Sequence, residues 1–338
     1  DAVLAIINKL EKFNGCILAD SVGLGKTFTA LAVIKYYECR NKNCLVLCPK
    51  KLTNNWNTYK DNYINNPIAE DRMNYTVLYH TDLSRTYGNS NGIDLARIRW
   101  DNYDLVVIDE SHNFRNGGKL ELDDEEDEKF NRYAVLMRNV IRKGVRTKVL
   151  MLSATPVNNS LTDLKNQISI ITADRDDAFE REGIESVAQT LRKASAVFNA
   201  WEKNGRTNKN ELYDALPKDF FDLLELLTIS RSRKHITNYY NSNDIGKFPT
   251  KLPVSTFNPN IDSENEILNF KDTLAVLEEL LLAVYTPMNY LKKEYKQMYR
   301  EKYQTIHKGK TIFTQVDRDN TTKILHMFNL FKRLESSV

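Results

Sequence analysis

Five short runs in this chain of 338 residues are apolar almost throughout: Gly15–Ala19, Cys44–Cys48, Tyr75–Tyr79, Leu105–Ile108 and Val149–Leu152. A strand with one face in water alternates apolar and polar side chains; a strand covered on both faces does not. Segments with helical periodicity lie among these runs, at about 2–12, 26–39, 52–63 and 133–141. Strands of that kind alternating with helices predict an α/β fold built on a mostly parallel sheet. In such a sheet, ligands bind in the crevice at the carboxyl ends of the strands. Three of the five runs lead there into a polar motif: Asp20–Thr27, Asp109-Glu110-Ser111-His112 and Ser153-Ala154-Thr155.

The first motif reads Asp20-Ser21-Val22-Gly23-Leu24-Gly25-Lys26-Thr27. Glycines let the backbone turn so that successive N–H groups point inward at phosphate oxygens. The helix expected to follow presents its positive dipole end to the same anion. Gly23, Leu24, Gly25, Lys26 and Thr27 are therefore the expected P-loop, or Walker A, phosphate cradle. Lys26 is placed to reach the outer phosphates, and the Thr27 hydroxyl to hold Mg2+. Asp20 stands where this loop pattern usually begins with glycine.

Asp109 and Glu110 close an apolar strand, where charge is unfavourable without a role. Asp109 is the second expected Mg2+ holder. Glu110 is the expected base that orients and deprotonates an attacking water. His112 either relays between this pair and Ser153 and Thr155 or merely packs. Together the loop and the carboxylates predict a nucleoside triphosphate hydrolase.

Past residue 173 strand signals nearly vanish and helical stretches dominate, at roughly 176–203, 210–229, 263–283, 288–304 and 317–334. The expected division is a nucleotide-binding lobe over 1–173, a helical insertion over 174–251 and a helical extension over 252–338. The segment 121–128 holds seven carboxylates in eight positions and reads as a solvated loop. Lys292, Lys293, Lys296, Arg300 and Lys302 flank a stripe of Tyr295, Tyr299 and Tyr303, which reads either as a core face or as a basic helix for nucleic acid. The four cysteines, Cys16, Cys39, Cys44 and Cys48, form no CxxC pair, which argues against a zinc site; Cys16, Cys44 and Cys48 lie in apolar, strand-like runs and read as buried thiols. No apolar run reaches membrane-spanning length, and a cytoplasmic protein is expected.

The three polar motifs, with Pro156 completing the last, resemble motifs I, II and III of superfamily-two helicases, and more narrowly those of the Swi/Snf-like DNA-dependent ATPases. Leu45-Val46-Leu47-Cys48-Pro49 followed by Trp56 is similar to motif Ia of that group, and Ser230-Arg231-Ser232-Arg233-Lys234 to its basic signature after the inserted helices. The resemblance implies the RecA-like first motor lobe of a bacterial remodelling or translocating protein, with ATP and Mg2+ as ligands and double-stranded DNA as partner. It implies coupling roles for His112, Ser153 and Thr155. It also implies DNA contacts at Lys50, Lys51, Thr53, Asn54 and Asn55 after motif Ia, and at Asn158 and Asn159 after motif III. The second lobe of such motors carries arginine fingers, so the chain reads as a fragment, with a larger complex among its expected partners, that binds ATP and hydrolyses it poorly alone. Two rival readings stay open. One is a strand-separating DNA or RNA helicase, including a restriction-complex motor; the other is a nucleotide-switched binding module.

Overall fold

The computed structural model describes residues 1–60, 65–114, 132–154, 161–205, 208–239, 249, 252–255, 270–280, 282–287, 290–303, 305–307, 310–313 and 315–337. The chain divides into two units, Asp1–Pro249 and Thr250–Val338.

In the first unit, helix α1 (Ala2–Phe13) leads into β1 (Gly15–Leu18), α2 (Lys26–Glu38), β2 (Cys44–Cys48), α3 (Thr53–Lys60) and β3 (Thr76–Tyr79). A small hairpin of β4 (Asn89–Ser90) and β5 (Ile93–Asp94) precedes β6 (Leu105–Asp109). Helix α4 (Arg132–Val135) widens into a π-helical stretch over Leu136–Arg142 and is followed by β7 (Lys148–Leu152). Then come α5 (Leu161–Thr172), α6 (Val187–Lys203), α7 (Lys209–Ala215), α8 (Lys218–Leu227), β8 (Thr228–Ile229) and α9 (Arg233–Tyr239).

Six strands form one sheet in the order β3-β2-β6-β7-β1-β8, parallel at every pairing. The pleat explains the uninterrupted apolar runs. Ile17, Leu45, Leu47, Val106, Ile108, Val149 and Met151 face one core with α5, α6 and α8. Their neighbours Cys16, Leu18, Val46, Cys48, Val107, Leu150 and Leu152 face the other, with α1 and α2. Both faces are dry, so every position must be apolar. Burial pushes the Cys16, Cys44 and Cys48 thiols up to about 12, which makes them packing groups. Helix α5 lies so close to β1 that a Cβ on Gly15 would come within 2.4 Å of Ile171, so only glycine fits there.

Two helical expectations are corrected in extent. Helix α6 starts at Val187, where Ser186 caps it by accepting from Gln189 N at 3.0 Å. The residues before it are anchored by Asp176, whose carboxylate accepts from Ala188 N and Ser186 Oγ, each at 2.7 Å. The stretch 210–229 breaks before Pro217, and Thr228 and Ile229 leave the helix to pair with Ile17 and Leu18. Pairing satisfies the backbone groups that β1 would otherwise expose at that edge.

His80 begins the short turn after β3 and is 4% exposed. Its Nε2 lies 3.1 Å from the Leu47 carbonyl, and Phe114 meets its ring edge-on. Burial holds its pKa down at about 4, below its ordinary 6.5. Between those values the unfolded chain binds the proton and the folded chain does not, so acid favours unfolding. Stability is expected to fall as pH drops from about 6.5 toward 4, by on the order of 3 kcal/mol from this residue. Urea midpoints across that range check it. A His80→Gln variant with the same slope would remove the assignment.

The second unit contains helices Phe270–Glu279, Lys293–Tyr303 and Gln315–Ser337 and an antiparallel hairpin, Thr305–His307 with Lys310–Phe313. The hairpin stands where no strand is expected from the sequence. Leu252–Val254 has no regular structure. Tyr295 of the tyrosine stripe is 51% exposed. No helix among the described residues is long and apolar enough to cross a membrane.

Candidate functional site

The carboxyl ends of β1, β7 and β6 lie side by side, because those strands are neighbours in the sheet. The glycine loop follows β1, Ser153 follows β7, and Asp109 ends β6. The register places Asp109 opposite Leu152 and Leu18 opposite Leu152 on the other side. Ser153 N donates to Leu18 O at 3.2 Å, which ties the third motif to the strand that feeds the first.

The loop takes two left-handed turns, at Gly23 (φ 82°) and Gly25 (φ 77°). A Cβ on Gly25 would meet nothing within 4 Å, so backbone strain alone demands glycine there. Thr29 N then donates to Gly25 O at 3.0 Å and opens α2, with Lys26 and Thr27 in its first turn. Lys26 Nζ donates to the Asp20 carbonyl at 2.9 Å.

Asp20 is fully buried. Arg231 grips its carboxylate: the backbone N donates to Oδ1 at 2.8 Å, Nε to Oδ2 at 3.0 Å, and Nη2 also to Oδ2. Ala19 N donates to Ile229 O at 2.7 Å and Ser21 N to Arg231 O at 3.0 Å. The strand entering the loop is thus stitched to the segment leaving β8. The acid that stands at position 20 in place of the usual glycine is matched by this half-buried arginine.

Asp109 Oδ2 accepts from Trp56 Nε1 at 3.0 Å, and Oδ1 accepts from Glu110 N at 3.0 Å. Trp56 is fully buried, and its carbonyl accepts from Tyr75 Oη at 2.6 Å. Both carboxylate oxygens are therefore oriented by fixed donors. Burial raises the Asp109 pKa above its ordinary value, against the opposing pull of the Trp56 bond and of the Lys26 charge.

Glu110 has φ 52°, a left-handed conformation unusual for glutamate. Its carboxylate is partly exposed, and His112 Nδ1 stands 3.2 Å from Oε2 without hydrogen-bond geometry. Ser111 Oγ donates to Gln167 Oε1 at 3.0 Å, with both residues buried, and so links this turn to α5.

Gly23, Leu24, Gly25, Lys26, Thr27, Asp109, Glu110, His112 and Ser153 therefore share one edge of the sheet. Lys50, Lys51 and Asn54 are exposed beyond the end of β2, the other neighbour of β6. Thr53 differs: it is 7% exposed, and its hydroxyl donates to Lys50 O at 2.6 Å. Thr155, Asn158 and Asn159 lie outside the described residues, as does the acidic run 121–128. Sequence reasoning missed Arg231 as the partner of Asp20, Trp56 as the donor to Asp109, and Gln167. The available signals were an acid in a glycine position and a glutamine on the apolar face of α5.

The arrangement suits a magnesium–triphosphate ligand. Among the described residues, no group of three or more His, Cys, Asp or Glu residues could hold a metal. Mg2+ needs no such cage; it binds through one or two protein oxygens, phosphate oxygens and water. Thr27 and the oriented Asp109 carboxylate fit that pattern.

An uncharacterized ATP-dependent helicase, YqhH, of Bacillus subtilis (strain 168) is 31% identical over 172 residues, which is 48% of this chain and 27% of that protein. A DNA repair and recombination protein RAD54-like of Drosophila persimilis is 25% identical over 189 residues, covering 48% of this chain and 22% of its own length. The chain thus spans about a quarter of the length of these curated relatives. A solved Sulfolobus solfataricus SWI2/SNF2 ATPase core in complex with dsDNA aligns over 96% of this chain and 62% of its own, at 16% identity and a TM-score of 0.42. The family described as SNF2-related domain matches residues 2–182, more than half of the sequence, and the chain belongs to that family.

Proposed function

We propose that this chain is the first motor lobe of an ATP-dependent protein that moves along double-stranded DNA. One observation carries the reading: the glycine loop with Lys26 follows β1 and the Asp109 carboxylate, oriented by Trp56, ends β6, on one carboxyl edge of the parallel sheet. Loop N–H groups and Lys26 hold the phosphates of ATP. Thr27 and Asp109 hold Mg2+, which neutralises charge on the transferring phosphoryl group when bound. Glu110 accepts the proton of the attacking water. His112, Ser153 and Thr155 link the nucleotide to the polymer grip.

Lys50, Lys51 and Asn54 are the lobe's proposed contacts to DNA phosphates. Thr53 shapes their turn through its bond to Lys50 O. The second lobe, with its arginine fingers, lies outside these residues in this proposal, and full turnover requires it. The relatives' descriptions as an ATP-dependent helicase and a DNA repair and recombination protein support a DNA partner, as does membership of the family.

ATP turnover measured with duplex DNA, single-stranded DNA and RNA tests the proposal. Duplex DNA is expected to stimulate most. Charge reversal at Lys50 and Lys51 is expected to weaken duplex binding and to reduce its salt slope by about 1 per lysine. Equal stimulation by all three polymers, or best stimulation by RNA, would overturn the duplex assignment.

A further inference from the structure

A second arginine accompanies Arg231 to the glycine loop. A Cβ placed on Gly23 would lie 3.3 Å from Arg233 Nη2, so that guanidinium lies against the middle of the loop. Its position is set by the strand before it. Ala19 N to Ile229 O, Ser21 N to Arg231 O and the Arg231–Asp20 pair pin that strand to the loop's entry. Asp20 is the only acidic residue in 20–27, and Arg231 matches its charge.

We propose that Arg233 is a phosphate-contacting residue of the nucleotide site, donating from its guanidinium to a phosphate oxygen of the bound nucleoside triphosphate. This rests on the ATP-binding reading above and deepens it. A planar guanidinium presents parallel N–H donors that match phosphate oxygens, which an ammonium group cannot reproduce. The contact supplies a positive group from the far end of the α5–α8 helical region to a loop formed at the start of the chain. Nucleotide occupancy would thereby hold the β8–α9 connection against the loop.

Titration of the chain with N-methylanthraniloyl-ATP and Mg2+ tests it, with Lys26→Ala as reference. Arg233→Gln is expected to bind the probe roughly 10- to 100-fold more weakly, the range for losing a charged hydrogen bond. Arg233→Lys keeps the charge and loses the fork, and is expected to fall between Gln and the parent. Parental affinity in both Arg233 variants, with binding lost in Lys26→Ala, overturns the Arg233 contact and leaves the ATP reading intact. No binding by the parent, or no loss in Lys26→Ala, removes both. If thermal melting shows that Arg233→Gln does not fold, Arg233→Lys decides: weakened binding supports the contact and parental binding overturns it.

Discussion

Replacing Glu110 by Gln is expected to lower DNA-stimulated ATP turnover by about 10²- to 10⁴-fold while ATP binding stays near parental. The backbone supplies the reason to single out this residue. A left-handed conformation disfavours any side chain with a Cβ, by about 1–2 kcal/mol. Glutamate occupies it here at φ 52°, directly after the strand that delivers Asp109. Glycine would relieve the strain and lose the carboxylate. In the proposed reaction this carboxylate, held next to the oriented Asp109, is the group that positions and activates the attacking water. Gln keeps the size and the backbone strain, so the change in folding stability should stay within about 0.5 kcal/mol. Lys26→Ala provides the contrast, because it removes a phosphate contact and should lose binding together with turnover. The two variants thus separate chemistry from binding. Undiminished phosphate release by Glu110→Gln would rule out Glu110 as the base.

How much of this was legible in the sequence depends on how locally each feature is encoded. The sheet was legible, because a strand buried on both faces must be apolar at successive positions, as Leu105–Ile108 is. The glycine loop and the Asp109-Glu110 pair were legible, because their chemistry fixes residue types at fixed spacing after such strands. Strand β8 was not. Thr228 and Ile229 continue the apolar face of α8, and only pairing with Ile17 and Leu18 makes them extended. The hairpin at 305–313 was hidden by its short, polar strands. Trp56 was visible as part of a motif but not as a hydrogen-bond donor, since its partner lies 53 residues away on another strand. The same holds for Ser111 and Gln167: nothing local says which buried polar group meets which. Pairings between distant positions are facts of packing, and patterns of residue types carry them only weakly.

The Asp20–Arg231 pair is the strongest of these hidden couplings, and breaking one side of it should unfold the lobe more readily than any other single polar change described here. Asp20 is fully buried, and Arg231 is mostly so. Removing the arginine leaves a carboxylate in a dry site with no counter-charge, a loss of about 3–5 kcal/mol. Arg231→Met keeps most of the volume and the backbone bonds from Arg231 N and to Arg231 O, so the loss reports the guanidinium itself. Arg231→Lys should recover part of it, because one ammonium replaces a fork that now meets both carboxylate oxygens. Asp20→Asn combined with Arg231→Met should be more stable than Arg231→Met alone, since no charge is then stranded. Denaturant midpoints for these variants, Asp20→Asn alone and the parent give the cycle. The effect should reach the nucleotide as well, because the Asp20 carbonyl holds Lys26 Nζ and the Asp20 side chain fixes where that carbonyl points. A loosened Asp20 lets the lysine and both glycine turns drift, so ATP affinity should fall along with stability, and the Asn/Met pair should restore stability more fully than affinity. If Arg231→Met unfolds at the parental midpoint, the pair is an incidental contact and the loop owes its shape to the glycines alone.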